Sequence, residues 1–151
     1  MSTSIQIIKL LLDGALPACP RVYFGAVDVR DVAHLHLQAM TNPAAKGERF
    51  LAVAGESLSF RDMSMILKRN LGEQARRAPS LELPDWIVRV LAIFDARSRQ
   101  IAPELGKIKN ASNSKAKSVF GWKPRSNEEC ILATAESLIR LGLLKDSPRK
   151  S

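Results

Sequence analysis

The stretch GAVDVRDVAHLHLQAM, Gly25–Met40, decides how the chain folds. Just before it, Arg21-Val22-Tyr23-Phe24 begins a run rich in β-branched and aromatic residues, which predicts a buried strand continuing to Val27. Beyond it, apolar residues recur at helical spacing to about Met40, and Thr41-Asn42-Pro43 closes the helix. Two aspartates and an arginine lie at the junction, open to three readings: an acid/base set, a metal site, or the punctuation of a strand-to-helix turn. If the strand ends at Val27, Asp28 is the N-cap and Asp31 the N3 residue, where free backbone N–H groups and the positive helix end favour carboxylates. A structural role thus accounts for both acids and leaves Arg30 exposed between them. His34 and His36 point about 200° apart on a helix, whereas shared metal ligation from one helix wants a spacing of three or four. No metal site is expected.

Working outward, Ser4 to Asp13 reads as an amphipathic helix ended by Gly14 and Pro17, and Glu48 to Val53 as a second strand. Ser59-Phe60-Arg61-Asp62 has the form of a capping box for a helix ending at Gly72. Pro84 opens a helix with Trp86, Ile87, Val90, Leu91 and Phe94 as its expected apolar face. Ser112 or Asn113 caps a short helix ending at Gly121, and Ser126-Asn127-Glu128-Glu129 is a full capping box for a last helix to Gly142. Residues 145–151 read as a polar tail after one unit spanning 1–144. The order predicts an α/β fold, α-rich in its second half, without repeat or linker.

A chain of 151 residues, 46% apolar and 25% charged, can bury one core. No apolar run approaches the roughly 20 residues of a membrane span, and Lys9 interrupts the N-terminal apolar stretch, so neither membrane insertion nor a secretory signal is expected. The default location is the cytoplasm, where Cys19 and Cys130, at no metal or redox spacing, are reduced packing thiols.

The eight glycines stand at 14, 25, 47, 55, 72, 106, 121 and 142, so no Gly-rich phosphate loop can be written. Ser112-x-x-Lys115 and Ser114-x-x-Lys117 match a serine-acylation spacing without its companion motifs, and a polar helix start predicts the same letters. Asn110-Ala111-Ser112 matches a glycosylation sequon, without meaning in a cytoplasmic chain. The net charge of +8 is concentrated: Arg97 to Arg125 holds eight Lys/Arg against Glu104 alone. Such a cluster admits nucleic-acid binding, but its aromatics, Phe120 and Trp122, sit where a helix ends and a core would be sealed. A solvated basic face is the preferred reading and nucleic acid is not the expected partner.

Three runs together, FGAVDVRDVAHLHLQAM, TNPAAKGERFLAVAGESLSFRDM and NASNSKAKSVFGWKPRSNEECILATAESLIRLGLL, resemble the C-terminal half of the extended short-chain dehydrogenase/reductases. The nearest group is the dihydroflavonol-reductase-like and aldehyde-reductase-like branch of the NAD-dependent epimerase/dehydratase proteins. The resemblance implies the C-terminal portion of a Rossmann-type reductase, with about two sheet strands and an α-rich substrate-binding part. It implies NAD or NADP as the cofactor of the full-length family and a small carbonyl compound as substrate. The family's Gly-rich turn and its Tyr-x-x-x-Lys pair fall before the portion seen here, and Tyr23, the one tyrosine, has Val27 at the fourth following position. No catalytic residue is therefore assigned, and no tight cofactor binding by this chain alone is expected. By position, Ser2, Thr3 and Ser4 would approach the cofactor, while Tyr23, Phe24 and Trp86 would border the substrate pocket. Strands without their sheet neighbours would leave open edges, so the expected partner is the cofactor-binding half, or a second copy through exposed strands. The alternatives are a non-enzymatic interaction domain and a basic nucleic-acid module.

Overall fold

The computed structural model describes residues 3–109 and 111–145; Ser2, the sequon's Asn110 and the tail from residue 146 lie outside them. Helix α1 (Thr3–Leu12) is followed by β1 (Cys19–Pro20), β2 (Tyr23–Phe24), α2 (Val29–Thr41), β3 (Leu58–Ser59) and α3 (Phe60–Leu71). Then come β4 (Glu82–Leu83), α4 (Asp85–Phe94), α5 (Ala96–Ile101), α6 (Ser114–Phe120) and α7 (Asn127–Arg140), with short 3-10 turns at 43–45, 72–75 and 102–104. The class is α/β, dominated by helices.

Both capping boxes form. Ser59 Oγ accepts from Asp62 N at 3.1 Å while Asp62 Oδ2 accepts from Ser59 N at 2.9 Å. At α7, Ser126 Oγ accepts from Glu129 N at 3.2 Å and Glu129 Oε2 from Ser126 N at 2.8 Å. Each box supplies partners for backbone donors that a helix start leaves free. The turn after α1 needs glycine: Gly14 has φ +64°, and a Cβ there would stand 2.8 Å from Arg77 Cβ.

The main core joins Leu11 and Leu12 of α1, Met63 and Leu67 of α3, and Ile131, Ala135 and Leu138 of α7. A smaller cluster seals Leu35 of α2, Ala116 of α6 and Trp122, with Phe50, Ala52 and Phe120 against it. Phe50 and Phe120 meet at 4.6 Å between ring centres. Phe120 and Trp122 thus serve packing, as their place at the end of α6 suggested. The last described residues lie against α1, since Lys145 N donates to Asp13 Oδ1 at 2.9 Å and Lys9 Nζ to Leu143 O at 2.5 Å.

Two expectations about strands are corrected. Of the expected strand over Arg21–Val27 only β2 (Tyr23–Phe24) forms, paired antiparallel with β3 (Tyr23↔Ser59), while β1, just before that range, pairs parallel with β4 (Cys19↔Glu82). Glu48–Val53 forms no strand; just past its end Ala54 N donates to Ala26 O at 2.8 Å. Apolar alternation fixes which side chains turn inward, here Phe50 and Ala52, but a ladder also needs a partner backbone, and none among the described residues lies beside either segment for longer.

The face of α4 is also corrected. Its buried residue is Val88, whereas Trp86, Val90, Leu91 and Phe94, expected inward, are exposed. Eight of its ten side chains, all but Asp85 and Arg89, are apolar, so periodicity could not say which side the core would take.

Candidate functional site

The entrance to α2 holds the densest set of charged side chains. Asp28 caps the helix: its Oδ1 accepts from Arg30 N at 2.8 Å, and the Arg30 guanidinium grips both oxygens, Nε at 2.9 Å and Nη2 at 2.6 Å. The side-chain bond from Arg30 holds the Asp28 carboxyl at a pKa of about 2, with burial opposing it. An acid so held is an anion at neutral pH and cannot serve as a proton donor.

Asp31 does something other than capping. Its Oδ2 accepts from Arg125 N at 2.8 Å, its Oδ1 from Arg125 Nη1 at 2.5 Å, and its backbone carbonyl from Trp122 Nε1 at 3.1 Å. Two residue pairs 91 and 94 positions apart are thereby joined, a contact invisible to local pattern. The expectation that Asp31 serves the free N–H groups of its own helix start is corrected: it ties α2 to the segment before α7.

Val27, Asp28, Val29 and Arg30 form one wall of a largely apolar cleft of about 640 Å³, closed by Ser4 and Ile5 of α1 and by Cys130, Ala133 and Thr134 of α7. Burial pushes the Cys130 thiol above its ordinary pKa, and Cys19, deeper still, is shifted the same way. Both cysteines are free, and neither is an activated nucleophile.

Of the residues singled out by position, Ser2 lies outside the described residues, Thr3 begins α1, and Ser4 is exposed on the rim of that cleft. Phe24 meets Phe60 edge-on at 5.3 Å, and Tyr23 is half-buried beside it in β2. Trp86 lines a separate cleft of about 560 Å³ with Leu83, Pro84 and Arg89, where Arg21 Nη2 bonds Asp85 Oδ2 at 2.6 Å. The structure therefore spreads the positional set over three places.

His34 and His36 are both exposed, and His36 Nδ1 lies 2.8 Å from Val32 O. Among the described residues no group of three His, Cys, Asp or Glu could hold a metal. The Ser-x-x-Lys spacings are absorbed locally: Ser112 Oγ accepts from Ser114 N, and Lys115 pairs with Glu48. In the basic segment, Lys109 pairs with Glu104, Arg125 with Asp31, and Arg99 donates to Ala92 O and Ile93 O. No helix among the described residues is long and apolar enough to cross a membrane.

The helix starts bear on nucleotide binding. Those of α2, α3, α5 and α7 each carry a carboxylate, from Asp28, Asp62, Asp95 and Glu129, already accepting a backbone N–H. A pyrophosphate seeks those same donors and the same positive end. These four starts do not fit a dinucleotide.

No family model matches the chain. It is 30% identical over 144 residues to the ketoreductase azaE of Aspergillus niger, an alignment covering 92% of this chain and 37% of that protein. The structure of Gre2 from Candida albicans in complex with NADPH matches 93% of the chain and 37% of its own length, with a TM-score of 0.64 at 21% identity. That of gox2253 matches 95% and 46%, with a TM-score of 0.72 at 22% identity. This chain is similar in sequence to one portion of a ketoreductase and shares its fold with part of two larger solved proteins. The portion spans little more than a third of the curated ketoreductase it matches. Within it, the paired Asp28–Arg30 and Asp31–Arg125 contacts hold the turn that made the resemblance readable.

Proposed function

We propose that the chain is the C-terminal, substrate-binding part of an NAD(P)-dependent extended reductase whose whole protein reduces small aldehydes or ketones, or oxidises the corresponding alcohols. The observation that carries this reading is the match of 93–95% of the chain to only 37–46% of two solved proteins, joined to its relatedness to a ketoreductase. Its closest flavour would be the dihydroflavonol-reductase-like branch of the epimerase/dehydratase proteins, working in the cytoplasm.

When bound, NAD(P)H supplies the hydride, and in the family a tyrosine beside a lysine handles the proton on the substrate oxygen. This chain offers no such pair, and the carboxylates at four helix starts oppose a pyrophosphate there. Cofactor binding and catalysis therefore belong to an upstream half, the partner that the short, open strand edges would receive. The first turn of α1 carries no acid, in keeping with Ser2, Thr3 and Ser4 lying near the cofactor in the assembled protein. Tyr23, Phe24 and Trp86 would border the carbonyl substrate.

The test is an absorbance assay of the pure chain with NADPH and a panel of aldehydes and ketones. No turnover above the protein-free control is expected; reproducible turnover by the chain alone overturns the assignment of chemistry to an upstream half.

A further inference from the structure

Two cations of α3 converge on a neutral serine. Arg61 and Lys68 stand seven residues apart, two turns along one face of α3, and both reach the loop between the 3-10 turn at 72–75 and β4. Lys68 Nζ donates to Ser80 Oγ at 2.5 Å, and Arg61 Nε donates to Ser80 O at 3.3 Å. Neither cation is paired with a carboxylate among the described residues. Glu82, the next acid along the chain, lines the Trp86 cleft. The buried Cys19 thiol registers the same two charges: burial and Glu82 push its pKa up, while Arg61 and Lys68 pull against them. Ser80 itself is fixed from both sides, since Pro79 O accepts from Ser64 Oγ at 2.5 Å and Leu81 O from Cys19 N at 2.8 Å. Two positive charges thus share one uncharged residue as their acceptor, a setting that a dianion on that residue would complete.

We propose that Ser80 is a phosphorylation site whose phosphate is held by Lys68 and Arg61. A phosphoserine carries a charge of about −1.5 to −2 at neutral pH and three strong acceptor oxygens, which two cations nearly neutralise. Lys68 already touches the atom that becomes the ester oxygen, and Arg61 touches the carbonyl of the same residue, so α3 need not move to receive the group. The approach is basic as well. Exposed Arg76 and Arg77 stand four and three residues before Ser80, and exposed Leu81 follows it directly, an arrangement that suits the acidic substrate groove of a basophilic serine kinase. In the transfer, Ser80 Oγ attacks the γ-phosphorus of a nucleoside triphosphate held by that kinase. The Oγ–P bond forms, the bond from the γ-phosphorus to the bridging oxygen breaks, the hydroxyl proton passes to the kinase's base, and the nucleoside diphosphate leaves. The phosphate then clamps the loop to α3 and stiffens the approach to β4, whose Glu82 and Leu83 line the Trp86 cleft.

This inference is independent of the reductase reading. It is tested by incubating the full chain with the catalytic subunit of a basophilic serine kinase and magnesium ATP, then mapping the product by mass spectrometry and titrating it by 31P NMR. Phosphate on Ser80 is expected. The 31P resonance that Ser80→Ala removes should titrate below about 6, the ordinary second pKa of a phosphoserine, because nearby cations favour the dianion. Lys68→Met should move that midpoint back towards 6. Because Lys68→Met could loosen α3, Arg61→Met, at an exposed position, provides the second arm and should shift the midpoint in the same direction. Phosphorylation should also raise the Tm of the wild-type chain by about 2–5 °C. No incorporation at Ser80, an ordinary midpoint in the wild-type chain, a midpoint indifferent to both variants, or a Tm that falls on phosphorylation overturns the proposal.

Discussion

Removing the Asp31 carboxylate should cost the fold more than a helix-end charge is worth. Asp31→Ala deletes two charge-assisted contacts, to Arg125 N and Arg125 Nη1, from a side chain only 10% exposed. Hydrogen bonds to charged groups contribute about 1.5–3 kcal/mol each. The Arg125 side chain, however, is 41% exposed and can return to water, which reduces the net loss to about 2 kcal/mol. At roughly 2–4 °C per kcal/mol for a domain of this size, Tm should fall by about 4–8 °C. Asp31→Asn, which keeps a neutral acceptor for Arg125 N, should lose about half as much. A double-mutant cycle with Arg125→Ala, followed by urea unfolding, should show a coupling of about 1 kcal/mol. A carboxylate acting only on the helix dipole contributes roughly 0.3–1 kcal/mol and does not couple to a residue far along the chain. Additive effects, with a loss below about 0.5 kcal/mol for Asp31→Ala, would refute the cross-tie.

Acid should act through Asp28. Its carboxyl titrates near 2 in the fold against 3.8 ordinarily, so the stability it contributes is complete above its unfolded pKa and is lost as pH falls through its folded one. Chemical denaturation between pH 5 and pH 2 should show that decline, and Asp28→Asn should flatten part of it; an identical acid limb in the variant would remove Asp28 as its cause. The two capping boxes should differ in their sensitivity. Ser59→Ala, at a buried hydroxyl, should destabilise by about 1–2 kcal/mol, and Ser126→Ala, at an exposed one that water can replace, by about 0.5–1 kcal/mol. Thermal melts showing the reverse order would contradict the burial argument.

The helices were legible because their signals are local. A capping serine and the acid three residues on lie within one turn, and the sequence around Ser59 and Ser126 states them outright. Asp28 as the cap of α2 was legible for the same reason. What escaped was set by partners distant in sequence or absent from these residues. Asp31 reads as a helix-start acid until Arg125, 94 positions later, is brought to it. Glu48–Val53 has the composition of a strand, yet a ladder needs a partner backbone, and no ladder forms along it among the described residues; just past its end Ala54 N donates to Ala26 O. Helix α4 is apolar nearly all round, so its pattern carries no direction. For the candidate site, Ser4 and Trp86 fall in separate clefts and Phe24 against Phe60, a distribution that needed the fold.

The most direct test of the central claim is to co-express the chain with the separately cloned upstream half of a related reductase, and to follow NADPH oxidation with a carbonyl panel. The account predicts that the two polypeptides co-purify and that turnover appears in the assembled sample, with neither part active alone. Activity in the chain by itself, or its failure to associate with any such half while remaining stably folded, would contradict it.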